Sequence, residues 1–275
     1  MRIKVCAIQM LPSSNIDKSI DKALSFLSMA AKNGANIACF PELFLNTWFV
    51  QSKENGKAEE NYKLAEPFDG KTINIMQEYA RKYNMVIIVP FFEIYNGLYF
   101  NSTAVIDGSG EILGVYRKIY LPEIPNYYEK SYFSNGTEIP VFKTEFATIG
   151  IQMCWDNFYP EISRSLALKG ANIIFAPTAS AFNTNSKWFL SISANAFVNG
   201  VYIVRVNRVG KDGGLDFYGK SFCVAPGGNI IDDFAGINEC ALIYNIDIKE
   251  VGRARENWPF IGNRAKDAYK DIINY

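Results

Sequence analysis

An α/β fold with mixed sheets is the class this chain predicts, and three observations predict it. Strand-like runs of apolar and β-branched residues alternate with amphipathic helical segments through the first 200 or so residues. One middle stretch and the last quarter read instead as neighbouring strands joined by short polar turns, which adds antiparallel pairs to a parallel core. The octet Gly34-Ala-Asn-Ile-Ala-Cys-Phe-Pro41 also has an echo in Gly170-Ala-Asn-Ile-Ile-Phe-Ala-Pro177. In both a helix ends at glycine and a strand runs into proline, which points to two similar αβ units in two halves of one fold.

Residues 3–9 alternate as a strand, and residues 12–15 form a polar turn. From Ile16 onward Ile20, Ala23, Leu24, Leu27 and Ala31 recur at helical spacing, and Asn33-Gly34 ends the helix. Residues 34–41 make a strand that stops at Pro41 with Glu42 just beyond it. Residues 51–62 are polar and charged, the composition of a surface excursion. A helix over 72–83 and a strand over 86–90 follow. Residues 99–107 and 111–118 read as a hairpin turned by Gly108-Ser109-Gly110, which delivers Arg117-Lys118 at its end.

A loop rich in Pro, Asn and Tyr then passes Pro122, Pro125 and Glu129 on the way to a buried strand over 147–153. Pro160, Ile162, Leu166 and Leu168 start and line a helix that ends near residue 169. After the strand into Pro177 come a helix over 188–199 and strands over 202–207, 219–224, 229–233 and 240–247.

With 275 residues, 49% apolar and 15% aromatic, the chain can bury about three quarters of the surface its unfolded form exposes. Nothing in it reads as a linker, so residues 1–275 are expected to form one domain without disulfide or metal support. A formal net charge of zero leaves no electrostatic footprint for nucleic acid or an anionic membrane. The longest apolar run, residues 85–92, is broken by Pro90 and too short for a bilayer, and residues 1–9 alternate like a strand rather than a signal peptide. Cys6, Cys39, Cys154, Cys223 and Cys240 lack paired spacing and read as reduced thiols. A cytoplasmic protein is expected.

Cys154 stands where a strand ends and a turn begins, in Ala147-Thr-Ile-Gly-Ile-Gln-Met-Cys-Trp-Asp-Asn-Phe-Tyr-Pro-Glu161. That position is expected to face the thiol to solvent from a rigid support, with N–H groups of the turn aimed at a developing negative charge. The chain has no histidine, so Cys-His and Ser-His-Asp arrangements are excluded. A carboxylate or a lysine must activate this thiol if anything does. Each candidate also has a plainer reading. Cys154 is a small hydrophobe, Glu42 a helix N-terminal charge, Lys118 half of a solvated basic pair, Glu129 a surface residue, and Trp155 and Trp188 core aromatics.

Three segments carry a resemblance that decides among these. Phe40-Pro41-Glu42-Leu43, Tyr116-Arg117-Lys118-Ile119-Tyr120-Leu121-Pro122 and Gly150-Ile151-Gln152-Met153-Cys154-Trp155-Asp156, followed by Pro160-Glu161, are similar in order and interval to the nitrilase superfamily of carbon-nitrogen hydrolases. The resemblance runs from about Ile3 to Tyr269. It implies a four-layer αββα sandwich and a triad of Cys154, Glu42 and Lys118. Glu129 matches a second glutamate of the carbamoyl-hydrolysing members. A thiol of ordinary pKa, near 8.5, is only a few per cent ionised at neutrality. Glu42 is therefore expected to take its proton, and Lys118 with the N–H of Trp155 to hold the oxyanion.

The resemblance further implies a pocket lined by Trp155, Asp156, Asn157 and Trp188, a small-molecule substrate, no metal and no cofactor. It also implies a homodimer or larger assembly, to which the tail around Trp258-Pro259-Phe260, Arg264 and Tyr269 contributes. Trp155 after the cysteine, the Glu129 segment and Asn207-Arg208-Val209-Gly210 look most like N-carbamoylputrescine amidases. An amidase of ω-amides or aliphatic amides and a silent scaffold with the same fold are the alternatives. The chain departs from those amidases in a shorter loop over 182–187, in Lys187 where histidine is common, and in Asn195 and Val198 where an arginine and a glutamate are common.

Overall fold

The computed structural model describes residues 1–53, 58–181 and 184–274. The first half runs β1 (Arg2–Gln9), α1 (Ile16–Lys32), β2 (Ile37–Cys39), α2 (Ala58–Tyr62), α3 (Lys71–Tyr83), β3 (Val86–Tyr95), β4 (Leu98–Ile106) and β5 (Ile112–Arg117). A small hairpin of β6 (Glu123–Ile124) and β7 (Tyr127–Tyr128) leads to β8 (Val141–Lys143), β9 (Thr148–Ile151), α4 (Pro160–Leu168), β10 (Ile173–Thr178), α5 (Asn185–Asn199) and β11 (Tyr202–Asn207). The remaining elements are β12 (Val209–Asp212), β13 (Leu215–Tyr218), β14 (Phe222–Val224), β15 (Ile230–Ile231), β16 (Cys240–Asp247), α6 (Lys249–Asn257) and α7 (Lys270–Asn274).

Two six-stranded sheets result, ordered β16-β1-β2-β3-β4-β5 and β15-β14-β11-β10-β9-β8. Each has three parallel strands at its centre, β1-β2-β3 and β9-β10-β11, flanked by antiparallel ones. Because successive side chains alternate between faces, every central strand buries both. Val5, Ala7, Ile37 and Ile88 of the first sheet and Ile149, Ile151, Phe175 and Val204 of the second join one core between the sheets. On the first sheet's outer face Cys6, Ile8, Ile87 and Val89 meet Ile20, Leu27, Ile73 and Met76 of α1 and α3. On the second's, α4 lies so close that a Cβ at Gly150 would sit 2.8 Å from Leu166. Helix, sheet, sheet and helix make a four-layer αββα sandwich of the nitrilase type.

The echoed octets occupy matching places, one in each sheet. Gly34 and Gly170 both take positive φ, 76° and 95°. Asn36 N donates to Lys4 O and Asn172 N to Thr148 O, both at 2.8 Å. The two asparagine side chains then accept from the same strand residues, Lys4 N at 2.8 Å and Thr148 N at 3.2 Å. Glycine releases the helix, asparagine pins the chain to the previous strand, and a parallel strand follows.

Several boundaries differ from the sequence expectation. The strand before Cys154 stops at Ile151, and α5 starts at Asn185 because Thr184 O already accepts from the N–H groups of Lys187 and Trp188. The strands expected over 219–224 and 229–233 shrink to β14 and β15. Of the excursion over 51–62, residues 54–57 lie outside the described residues. Its end is not a bare surface segment, since the Tyr62 ring packs 4.3 Å from that of Tyr99. Among the described residues no helix is long and apolar enough to cross a membrane.

Candidate active site

Strands β2, β5 and β9 all end at the same edge of the sandwich, and each is followed there by one chemically active residue. Beyond β2, Pro41 ends the ladder, and Leu43 turns the chain with φ of 48° so that Glu42 projects inward. Lys118 continues β5 by donating its N–H to Asn101 O at 2.9 Å. Beyond β9, Cys154 opens a single 3₁₀ turn over Cys154–Phe158, also in the left-handed region, with φ of 46°. A non-glycine residue held there costs about 1–3 kcal/mol, so its surroundings must enforce it.

They do so through buried side chains. Asp156 accepts from Met153 N at 2.8 Å, Tyr116 Oη at 2.5 Å and Tyr120 N at 3.0 Å. Asn157 donates to Gln152 O at 3.0 Å and Cys154 O at 2.8 Å, while its own oxygen accepts from Gln152 Nε2 at 2.6 Å. Asn195 of α5 adds a bond to Asn157 O at 3.0 Å. The turn that presents the thiol is thus fixed from both sheets and from a helix.

Lys118 Nζ donates to Glu42 Oε1 at 2.7 Å and to both oxygens of Glu129 at 2.7 and 2.8 Å. Asn101 Nδ2 donates to Glu42 Oε1 at 2.8 Å and reaches Glu129 Oε2 at 3.4 Å. All four side chains are sealed from solvent, yet Glu42 Oε2 has no hydrogen-bond partner among the described residues. Burial pulls the Lys118 ammonium down, but the charges of Glu129, Glu42 and Cys154 outweigh it and hold its pKa well above the ordinary range. Glu129 is pushed up to about 8 by burial, with Glu42 adding to the rise and Lys118 opposing it.

The thiol of Cys154 follows from the same charges. Burial and then Glu42 raise it well above the usual cysteine value; Lys118 and the Ala179 N–H pull the other way without prevailing. Burial and Glu42 together thus outweigh what Lys118 offers a standing thiolate. With its pKa raised in this way, Cys154 would need a base to take its proton if it is to act as a nucleophile.

Cys154 lies on a cavity of about 160 Å³, whose walls include Tyr127, Trp155, Phe158, Ser180 and Trp188, with Lys187 at its rim. Such a space suits a small molecule with a chain of a few atoms.

The family model described as carbon-nitrogen hydrolase matches residues 4–256. The chain belongs to the carbon-nitrogen hydrolases of the nitrilase superfamily. It is similar to the N-carbamoylputrescine amidase of Arabidopsis thaliana, 34% identical over 98% of this chain and 95% of that protein. The citrullinase of Francisella tularensis subsp. tularensis is 32% identical, with 98% of each chain covered. A solved carbon-nitrogen hydrolase from Helicobacter pylori G27 superposes with a TM-score of 0.93 at 30% identity, over 99% of both chains. The protein is an amide-hydrolysing enzyme.

In this hydrolase Glu42, Lys118 and Glu129 form one buried network within whose field Cys154 lies, and Trp155 and Trp188 line the cavity. Two expectations need correction. Asp156 and Asn157 do not line the pocket, because the left-handed Cys154 backbone turns them inward, where both are fully buried and brace the turn. Nor does Cys154 face bulk solvent; it is 2% exposed, at the floor of the cavity. The shortened loop over 182–187 begins with residues 182 and 183, which lie outside the described ones. Asn101, Tyr116 and Gln152 were not anticipated. A lone asparagine inside the apolar run of β4 was the available signal for Asn101, since buried polar groups need partners.

Proposed function

We propose that this hydrolase removes the terminal carbamoyl group of a short ureido amine, with N-carbamoylputrescine as the first substrate to test. The products would be putrescine, carbon dioxide and ammonia. The observation that carries the proposal is the Glu42–Lys118–Glu129 network beside Cys154, with one oxygen of Glu42 unbonded among the described residues. In this reading Cys154 Sγ attacks the ureido carbon while Glu42 takes the thiol proton. Lys118 and the N–H of Trp155, in the first residues of the turn, receive the oxyanion. Glu42 returns the proton to the amine nitrogen as its bond to carbon breaks, leaving an S-carbamoyl cysteine. Water, deprotonated by Glu42, then cleaves the thioester to carbamate, which falls apart to carbon dioxide and ammonia.

The names of the two relatives share one chemical feature, a ureido group at the end of a short chain. The aromatic walls Tyr127, Trp155, Phe158 and Trp188 suit an ammonium tail through cation–π attraction. No guanidinium lies among the described lining residues to fork onto a carboxylate. One observation favours a second reading, an ω-amide with an acidic tail: Lys187 at the rim is a cation. The same proposal carries a reducing cytoplasmic setting and self-association through the tail, where Trp258 is 55% exposed.

The test is ammonia release from N-carbamoylputrescine, N-carbamoyl-β-alanine, α-ketoglutaramate and simple amides at matched concentration. Putrescine formation from the first, with a kcat/KM well above the others, is expected. If the ω-amide acid turns over and the ureido amine does not, the second reading replaces the first.

A further inference from the structure

We propose that Asn207 and Arg208, adjacent at the end of β11, are positioning residues that set the two sides of the site against each other. Arg208 places the loop that carries Glu42, and Asn207 places the cavity wall facing it. This rests on the reading of Cys154 and Glu42 given above.

Arg208 is fully buried, and its Nη2 donates to Asn46 O at 2.6 Å and to Asp212 Oδ2 at 3.0 Å. The same Asp212 oxygen accepts from Trp48 N at 2.8 Å. The guanidinium and its carboxylate therefore grip the loop after Glu42 at two points, Asn46 and Trp48. Within that loop Asn46 N closes back on Leu43 O at 3.0 Å, next to the left-handed Leu43. The rings of Phe217 and Trp48 cover the cation at 5.1 and 5.5 Å. Its Nε and Nη1 have no hydrogen-bond partner among the described residues.

Asn207 faces the other way. Its Oδ1 accepts from Ser180 N at 2.8 Å, and its Nδ2 donates to Ser180 O at 3.2 Å and Gly219 O at 2.9 Å. The amide thus holds both backbone groups of Ser180 as a neighbouring strand would. Ser180 Oγ then accepts from Trp188 Nε1 at 3.2 Å, and both residues line the cavity. The residue before Ser180 is Ala179, whose N–H acts on the Cys154 thiol.

A buried ion pair kept only for stability is commonly replaceable by apolar residues at no loss. Here the pair's hydrogen bonds end instead on the loop that carries Glu42, and those of the adjacent Asn207 end on the segment beside the thiol's neighbour Ala179. A displacement of about 1 Å between reacting groups can cost a hundredfold in rate. The charged groups acting on Glu42 are Lys118, Glu129 and Arg208, and Cys154 and Tyr127 are its titratable neighbours.

The test uses alkylation of Cys154, which needs no knowledge of the substrate. Iodoacetamide forms a carbon–sulfur bond and expels iodide while the thiol proton passes to Glu42. Its rate is followed by mass spectrometry on the full chain from pH 5 to 9, in the starting protein and in Arg208→Met, Arg208→Lys and Asn207→Ala. Arg208→Met should slow Cys154 labelling about tenfold, with Arg208→Lys restoring part of the rate. Asn207→Ala should raise the rate of the bulkier iodoacetanilide relative to iodoacetamide several-fold, because the wall is freed. Cys154 labelling in folded Arg208→Met at the rate of the starting protein, or unchanged size selectivity in folded Asn207→Ala, overturns the clamp. Cys154 labelling in the starting protein no faster than Cys240, the half-buried cysteine, overturns instead the site reading on which the clamp rests.

Discussion

Arg117 and Lys118 are neighbours on one strand end, point to opposite faces of it, and each meets a buried glutamate, yet the two ion pairs are built differently. Arg117 forks onto Glu93, Nη2 to Oε1 and Nε to Oε2 at 2.6 Å each, and Ser102 Oγ adds a third bond to Oε2 at 2.6 Å. The guanidinium also lies 4.2 Å from the Tyr95 ring centre and 4.9 Å from that of Phe100. Both Glu93 oxygens are used, and the arginine side chain keeps 29% of its surface in solvent. Lys118 is wholly enclosed, divides one ammonium between two glutamates, and leaves Glu42 Oε2 without a hydrogen-bond partner among the described residues. A saturated pair has nothing left to do but hold its place. The unsaturated one keeps a buried acceptor available for a proton.

The comparison breaks most completely if Glu42→Gln leaves activity intact. That variant keeps the shape and the Oε1 acceptor but removes the base, so kcat should fall about 10³-fold with the fold unchanged by circular dichroism. A fall of less than tenfold would mean that another group deprotonates the thiol. Lys118→Met comes next. It removes the proposed oxyanion donor, worth about 10² in kcat, and leaves buried Glu42 and Glu129 without their shared ammonium at about 3–5 kcal/mol. Glu129, already raised by burial, then loses the ammonium that opposes the rise, so the variant's stability to urea should rise as pH falls toward 5. A constant deficit from pH 5 to 8 would contradict the shared cation.

Glu129→Gln should act more mildly, about tenfold on kcat/KM, since a neutral amide still accepts from Lys118 but no longer orients it by charge. It also carries a pH signature. Burial raises Glu129 from 4.5 to about 8 in the folded protein. The folded state therefore binds that proton more tightly than the unfolded one, and the group's contribution to stability declines as pH rises from 4.5 to 8. Urea midpoints across that window should flatten in the glutamine variant; identical slopes in the two proteins would place the titration elsewhere.

Much of this architecture was legible because local patterns repeat what the sheets require. β16 covers the residues its alternation predicts, and the two glycine-asparagine octets begin parallel strands in matching places. Glu42 and Lys118 could be singled out because proline or a hairpin fixes where their strands end. Glu129 was visible only through the resemblance; nothing in Tyr128-Glu129-Lys130 signals burial. Asp156 and Asn157 were misplaced because the left-handed turn at Cys154 reverses the direction a strand-to-helix reading assigns them. Asn101 and Tyr116 escaped notice because their partners lie tens of residues away, and pairing over such distances leaves no periodicity to read.

The smallest effect on activity belongs to Arg117, and it sharpens the comparison most. Lys118 beside it is the oxyanion donor of the proposed mechanism, so a substitution at Arg117 perturbs the same strand end without touching the shared ammonium. Arg117→Gln strands the Glu93 carboxylate, which is sealed from solvent, but Ser102 remains bonded to it and water can reach the vacated, partly exposed position. A stability loss of about 2 kcal/mol is expected, below that for a wholly buried pair. kcat, KM and the pH profile should stay within about twofold of the starting protein, the scatter of a surface-proximal change. Should kcat fall tenfold while the fold holds, the two pairs are coupled through the strand, and saturation of hydrogen bonds would no longer separate a structural ion pair from a reactive one.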